Sequence, residues 1–245
     1  MVDQITKSLF YRLDYYFWPY IATNKLSMTI FIGRKWWAVY RSICTIICLI
    51  LFGFSIILSS SFKFLLQFGS WSMILTLLFF FLLLINYHYK KLWKLTHILY
   101  EMTWCFNWTS VIIHWGIIFW MQPEGSNLYI TVGLHGGLLI LLILESLNNQ
   151  IWFYARHLYI ICILSLLYFI MIMTYSLAVE KIYDSFSFKD AKTYLILLTS
   201  LIIIILSFIS GSILDKFKSR HAAIEVIPEN GYTYDELQDT TKSFK

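Results

Sequence analysis

Two ionisable side chains, His135 and Glu145, lie ten residues apart in a segment of glycine and aliphatic residues, GLHGGLLILLILE. A histidine can act as a general base or a metal ligand, and a carboxylate can pair with a cation. An ionisable group inside a membrane-spanning segment costs about 2.5–3.5 kcal/mol or more. Such groups therefore face the interior of a helix bundle, where they find partners.

Arg41 is the cation that most needs a partner, because it lies about one helical turn inside the first predicted span. Its charge either reaches back to the membrane surface or pairs with a carboxylate. Glu145 ends the fourth predicted span and Glu101 begins the third, on the same side of the membrane. Either one can pair with Arg41. His97 competes for Glu101, because the two are four residues apart on one helix face.

His114 and His135 are predicted to be neutral, hydrogen-bonded structural histidines. A haem or metal site between them is the alternative. We otherwise expect no metal, no cofactor and no disulfide, because no CxxC or Cys/His metal spacing is present. Bound phospholipid is expected. The cysteines all fall inside predicted spans, where they act as small apolar residues: Cys44, Cys48, Cys105 and Cys162.

The composition predicts that these side chains are positioned by membrane-spanning helices. Of the 245 residues, 59% are hydrophobic and 13% are charged, whereas about a quarter of a soluble domain is charged. The mean hydropathy is +0.67. Six segments approach the length of about 20 apolar residues that crosses a bilayer. They are residues 37–59, 64–87, 97–121, 127–147, 158–179 and 193–214.

The placement of Lys and Arg predicts the orientation of these six spans. Fourteen of the 19 basic residues fall on the side that holds both termini, four fall on the other side, and Arg41 lies inside the first span. Both termini should therefore face the cytosol or the mitochondrial matrix. The net charge of +5 fits this topology and contact with acidic lipid. Nucleic-acid binding is not expected, because the basic residues are spread along one membrane face.

The predicted fold is all-α, a polytopic bundle of about six transmembrane helices with an N-terminal interfacial helix. Residues 1–35 form the interfacial, amphipathic segment, residues 36–216 the transmembrane domain, and residues 217–245 a polar tail. The first 30 residues show no secretory signal peptide. We expect the mitochondrial inner membrane, with the endoplasmic reticulum or plasma membrane as alternatives.

The histidine–glutamate spacing resembles the androgen-induced-protein family of multi-pass membrane threonine hydrolases, whose members cleave lipid esters with an intramembrane threonine and histidine. Four further segments resemble landmarks of that family: YKKLWKL, IIFW, IYDSFSF and ISGSILDK. The resemblance covers residues 36–216. It implies a helical bundle in which His135 corresponds to the family's catalytic base.

The chain departs from this family at the nucleophile. The family's threonine follows a tryptophan early in the first span, and the matching stretch here is WAVYRSICTIICLILFG, from Trp37 to Gly53. In that register Arg41 takes the place of the threonine. An arginine keeps its proton and offers no nucleophilic oxygen or sulfur. Ser42 or Thr45 can replace the nucleophile only if the register is shifted.

The favoured hypothesis is a non-catalytic subunit that keeps a hydrolase-like scaffold and packs with other membrane subunits, with a respiratory assembly as the specific guess. Its intramembrane polar residues are then structural. The first alternative is a lipid esterase that uses His135 with Thr45 or Ser42. The second is a small transporter or cofactor carrier built around His114 and His135. A serine or threonine oxygen within hydrogen-bonding reach of His135, beside a lipid-sized cavity, would contradict the favoured hypothesis.

Overall fold

The regular structure of the protein is helical, as predicted. A computed structural model describes residues 34–58, 63–88, 92–118, 132–149, 151–179, 188 and 190–225. Its α-helices are α1 (Arg34–Leu58), α2 (Lys63–Leu66), α3 (Phe68–His88), α4 (Trp93–Ile113), α5 (Leu138–Asn148), α6 (His157–Ala178) and α7 (Ala191–Glu225). Two π-helical segments, π1 (His114–Ile118) and π2 (Val132–Gly137), continue α4 and precede α5.

The protein is an integral, multi-pass membrane protein. Four helical segments are long and apolar enough to cross a bilayer: Lys35–Ile57, Phe68–Asn86, His157–Ala178 and Ala191–Lys218. They coincide with the predicted first, second, fifth and sixth spans. The third predicted span corresponds to α4 with π1 and is more polar, and the fourth corresponds to π2 with α5 and is shorter.

The second predicted span is interrupted near its start. Gln67 separates α2 from α3, and its carbonyl accepts hydrogen bonds from the amides of Ser70 at 3.1 Å and Trp71 at 3.2 Å. Gly69 follows in the first turn of α3. The helix therefore begins beside a residue without a side chain, which leaves room for a neighbouring helix.

Among the described helices, α4 has the most buried polar side chains, and it lies at the centre of the bundle. It packs against α3 and α7 and also contacts α5 and α6, while α1 packs on α3. Tyr100, Cys105 and Phe106 of α4 are buried. The outward faces of α1, α6 and α7 are apolar and exposed, as shown by Ile57 and Leu195. Apolar helices thus separate the polar groups of α4 from lipid.

Side-chain contacts show that successive spans alternate in direction. The starts of α1, α4 and α6 meet the ends of α5 and α7 at one end of the bundle. We call this the charged end, and its buried ionisable residues are Arg41, His97, Glu101, Glu145, His157, Asp215 and Lys218. The opposite end holds the starts of α3 and α5 and the end of α4.

The ends of the chain lie largely outside the described residues. The predicted N-terminal interfacial helix lies within residues 1–33, outside the residues that the structure describes. The last helix continues to Glu225, beyond the predicted end of the sixth span at residue 214. The part of α7 that follows residue 214 includes the basic residues Lys216 and Lys218, so the helix continues past the apolar span.

Candidate functional site

Arg41 forms a buried ion pair with Glu145, one of the two carboxylates that the sequence offered as its partner. Its Nη2 lies 2.6 Å from Oε1 of Glu145, and its Nε lies 3.2 Å from both carboxylate oxygens. The side chains are 3% and 0% exposed. Several N–H groups on one carboxylate give a strong, directional contact, which compensates the cost of burying both charges.

Aromatic side chains surround this ion pair. Tyr40 donates a hydrogen bond to the carbonyl of Leu141 at 2.6 Å, which joins α1 to α5 one turn before Glu145. Trp37 stacks on Tyr40 with ring centroids 4.4 Å apart. The rings help to hold α1 beside α5 and to keep lipid and water away from the paired charges.

The two hydroxyls proposed as alternative nucleophiles are bonded within their own helix. Ser42 donates to the carbonyl of Ala38 at 2.9 Å, and Thr45 donates to the carbonyl of Arg41 at 2.8 Å. Such bonds to the residue four positions earlier satisfy hydroxyls inside apolar helices. The structure does not pair either hydroxyl with His135.

The relative register of α1 and α5 explains this separation. Arg41 contacts Glu145, whereas Leu51 lies beside Gly133 and would be 3.6 Å from a β-carbon built there. The two helices therefore run in opposite directions. With a rise of 1.5 Å per residue, Thr45 is about 6 Å along α1 from the ion pair, and His135 is about 15 Å along the opposing chain. The axial gap between them is about 9 Å.

His135 instead contacts a serine that is not among the candidate residues predicted from the sequence. Oγ of Ser110 lies 2.8 Å from Nδ1 of His135. Ser110 is buried and His135 is half-buried. A serine and an imidazole at this distance have the geometry of a nucleophile and its base, and equally that of a structural hydrogen bond. One of the two conditions that would contradict the non-catalytic hypothesis is therefore met.

His114 completes a cluster with these two residues, which we call the stacked-histidine cluster (Ser110, His114 and His135). The rings of His114 and His135 are nearly parallel, with centroids 3.9 Å apart and an interplanar angle of 14°. The two histidines that the sequence proposed as partners are thus brought together. Their stacked faces, however, do not direct two nitrogens at one common point as a shared metal ion would require.

Gly69 allows α3 to approach this cluster. A β-carbon at this position would lie 2.8 Å from Cε1 of His135, which is closer than such atoms approach in proteins. The ring is confined on its other sides by the hydrogen bond to Ser110 and the stack on His114. The glycine therefore helps to fix the orientation of the imidazole.

At the charged end, two histidines and a backbone amide surround the carboxylate of Glu101. Nδ1 of His157 lies 2.7 Å from Oε2 of Glu101, and Nε2 of His97 lies 3.4 Å from Oε1. The backbone amide of Tyr154 donates to Oε1 at 2.8 Å. The predicted contact between His97 and Glu101 is therefore present, but the shorter contact comes from His157, at the start of a different helix.

The described residues of the connector between α5 and α6, 149 and 151–156, are held against the charged end by α7. Asp215 accepts a hydrogen bond from the backbone amide of Phe153, and its Oδ1 lies 2.8 Å from Nζ of Lys218. Lys218 also donates to the carbonyl of Ile151 at 3.1 Å. Gly211 makes room for the ring of Phe153, which a β-carbon would overlap. The connector thus covers the buried carboxylates of Glu101 and Asp215.

Some residues of these two clusters were missed because their partners are distant in sequence. Ser110 precedes His114 by four residues, so their shared helix face was a local signal that the pair belongs together. His157 begins an apolar span on the same membrane side as Glu101, which was a weaker signal. Asp215 and Lys218 follow the predicted end of the sixth span, where charged residues are usually exposed at the membrane surface, so nothing in the sequence indicated that they belong to a buried cluster.

The chain has no match among protein-family models, curated proteins or solved structures. The resemblance to membrane threonine hydrolases therefore stays a prediction that depends on the quoted motifs.

Proposed function

We propose that the protein is a non-catalytic helical subunit of a larger membrane complex. The observation that supports this function best is the buried pair of Arg41 and Glu145 at the position where the resemblance would place a nucleophile. The guanidinium offers no nucleophilic oxygen, and its N–H groups are engaged by the carboxylate. Glu145 is likewise engaged as a structural counter-ion.

Two further features agree with a structural role. The neighbouring hydroxyls of Ser42 and Thr45 are bonded to helix carbonyls and lie far along the helix from His135. The paired charges of the charged end link helices that are distant in sequence. Such contacts specify one arrangement of the helices, which is the property that a scaffold subunit needs.

The partners of this subunit are other membrane subunits and phospholipid. Large apolar side chains on the outward faces of α1, α6 and α7 offer packing surface for both. Our more specific proposal is a respiratory assembly in the mitochondrial inner membrane, with both termini in the matrix. That location is argued from the basic residues that cluster on the side of the termini.

Native electrophoresis of the full chain tests the proposal. The tagged protein should be extracted from its native membranes in a mild detergent and analysed with its cross-linked neighbours by mass spectrometry. We expect a stable particle much heavier than the 29.1 kDa chain, and its loss in Arg41→Met. A particle no larger than the chain in its micelle, together with ester hydrolysis by the pure protein, would contradict the proposal.

A second candidate function, an intramembrane esterase, is favoured by the contact between Ser110 and His135. His135 would take the hydroxyl proton while Oγ attacks the ester carbonyl, and the imidazolium would then protonate the leaving alcohol. Water would hydrolyse the acyl-serine in a second step with the same base. Ser110 thus replaces Ser42 and Thr45 as the residue to test.

An acylating activity probe separates the two candidates. An active enzyme should be labelled at Ser110, and labelling should be lost in Ser110→Ala and in His135→Ala. Ser165→Ala is the matched control, because Ser165 is also a buried helical serine and bonds only its own helix, at the carbonyl of Ile161. The absence of label at Ser110 in the folded wild-type protein would eliminate the esterase.

A further inference from the structure

We propose that His97, Glu101 and His157 bind one divalent transition-metal ion beneath the connector at the charged end. The three side chains come from two helices and are almost fully buried. This site is separate from the stacked-histidine cluster at the opposite end. Its existence does not depend on either candidate function, because a metal ion there can be structural in a scaffold as well as in an enzyme.

The spacing of the ligand atoms fits a small cation. One nitrogen from each histidine and a carboxylate oxygen all lie within 4.8 Å of one another. Metal–ligand bonds of about 2.0–2.2 Å in a tetrahedral site place neighbouring ligand atoms about 3.4 Å apart. The 3.4 Å between His97 Nε2 and Glu101 Oε1 already has this value. The 2.7 Å between His157 and Glu101 must open by about 0.7 Å to reach it.

That opening corresponds to replacing a proton by a metal ion. In the metal-free arrangement, a proton occupies the hydrogen bond between Nδ1 of His157 and Oε2 of Glu101. A metal ligand must present a lone pair, so binding releases this proton to solvent. His97 and Glu101 are four residues apart on α4, so the helix itself keeps two of the three ligands in place.

The ligand types indicate the class of metal. Two imidazoles and one carboxylate are the set that holds Zn²⁺ in many hydrolytic sites and Fe²⁺ in many oxygenases. Mg²⁺ and Ca²⁺ prefer oxygen ligands and are disfavoured by the two nitrogens. Three protein ligands leave at least one coordination position for water or another molecule.

The charge balance of the charged end also favours a cation at this point. The buried charged side chains of the described residues include three carboxylates, Glu101, Glu145 and Asp215, but only two permanent cations, Arg41 and Lys218. Arg41 pairs with Glu145, and Lys218 pairs with Asp215. Glu101 contacts two histidines and a backbone amide, and a cation bound here would compensate its charge, which is costly to bury.

A supporting layer orients the ligands. The amide of Tyr154 donates to Oε1 of Glu101 at 2.8 Å, and the Tyr154 ring lies 5.1 Å from the His97 ring and 5.5 Å from the His157 ring. Such second contacts commonly fix metal-binding side chains. The neighbouring connector residues Trp152 and Ala155 are exposed. A metal ion therefore has a short path from the membrane surface if the connector moves.

Cobalt binding tests this proposal, because Co²⁺ occupies zinc sites and its visible absorption reports its coordination. The full chain, without a polyhistidine tag, should be stripped with a chelator in detergent, loaded with Co²⁺ and analysed for metal per chain. We expect one Co²⁺ per wild-type chain, and an apparent affinity at least about 10-fold weaker in Glu101→Gln and in His157→Gln. His114→Gln is the matched control and should bind as the wild type does.

Replacing one ligand by another keeps the test valid if removal of a ligand unfolds the chain. In His97→Cys, a bound Co²⁺ should gain a thiolate-to-cobalt charge-transfer band in the near ultraviolet. A folded, helical wild-type protein that retains less than about one tenth of a Co²⁺ per chain would overturn the proposal. Equal retention by wild type and Glu101→Gln, or bound Co²⁺ in His97→Cys without the thiolate band, would overturn it as well.

Discussion

The two ends of the bundle bury polar groups by different means. At the charged end, the two buried permanent cations of the described residues, Arg41 and Lys218, each have a carboxylate partner. Glu101 contacts two histidines and a backbone amide. At the opposite end, the stacked-histidine cluster is built from one serine, two imidazoles and the bare backbone of Gly69. Two helices serve both schemes. The segment formed by α4 and π1 carries Glu101 at one end and His114 at the other, and the segment formed by π2 and α5 carries His135 and Glu145.

The backbone differs between the ends as well. His114 and His135 lie in π-helical segments, whereas Arg41, Glu101 and Glu145 lie in regular α-helix. π-helical turns inside helices are frequent at functional sites, since they shift a side chain out of the regular register. The charged end therefore has the features of a structural core, and the stacked-histidine cluster has those of a site whose side chains have been repositioned.

The largest expected effect comes from breaking the ion pair at the charged end. Arg41→Met leaves Glu145 buried without its partner, which should lower the free energy of unfolding by about 3–5 kcal/mol. Thermal unfolding in detergent micelles measures the change. The double variant Arg41→Met/Glu145→Leu removes both charges and should recover most of the loss. If the melting temperature of Arg41→Met alone were unchanged, the carboxylate of Glu145 would have to be hydrated without its partner, which would contradict the buried ion pair.

A smaller effect is expected at the opposite end from filling the space that Gly69 leaves for His135. Gly69→Ala should destabilise the protein by about 1–3 kcal/mol, because the imidazole is confined by Ser110 and His114 and cannot easily move. Gly53→Ala is the matched control, since no described atom lies within 4 Å of its added β-carbon. That control should be neutral or stabilising by up to about 1 kcal/mol. Equal stability of the two variants would contradict the close approach.

The sequence predicted the membrane fold more completely than the sites. All six apolar segments contain helix, because the length of an apolar run is a local property. The first, second and fifth helical segments lie within a few residues of their expected bounds, whereas the sixth continues past residue 214 to Glu225. The expected end of the third span and the expected start of the fourth lie outside the described residues. The interruption at Gln67 and the π-helical turns were not predicted, since they depend on neighbouring helices. The pairing of Arg41 was narrowed to two carboxylates by the side of the membrane on which each lies, and only packing selected Glu145.

The partners of His135 illustrate why a site is harder to predict than a helix. Ser110 lies 25 residues earlier, and the face that it shares with His114 meets His135 only when α4 and α5 pack as observed. The resemblance predicted a nucleophile near Arg41, with Ser42 and Thr45 as the available hydroxyls. In the structure, Thr45 lies about 9 Å from His135 along the helix axis. This distance depends on how α1 packs against α5, which the sequence alone does not give.

An intermediate effect distinguishes the serine of the stacked-histidine cluster from an ordinary helical serine. Ser110→Ala removes the hydrogen bond to a half-buried imidazole and should cost about 1 kcal/mol. Ser165→Ala removes only a bond to the carbonyl of Ile161, which keeps its backbone partner, so it should change stability by less than about 0.5 kcal/mol. A proton NMR signal from the His135 ring should shift in the first variant alone. If both variants behave alike, the contact with His135 contributes nothing specific.

The smallest effect is expected at Thr45, one of the two hydroxyls close to the position where the resemblance places a nucleophile. Thr45→Val keeps the shape of the side chain and removes a hydroxyl that bonds only the carbonyl of Arg41. Stability should change by less than about 0.5 kcal/mol, because that carbonyl remains bonded within the helix. Labelling by an acylating probe should also be unchanged, since the hydroxyl lies about 9 Å along the helix axis from His135. The opposite result would be loss of labelling in Thr45→Val while Ser110→Ala is still labelled. It would mean that α1 slides by about two turns, which brings Thr45 to the imidazole of His135. The ion pair between Arg41 and Glu145 would have to break for this movement to occur.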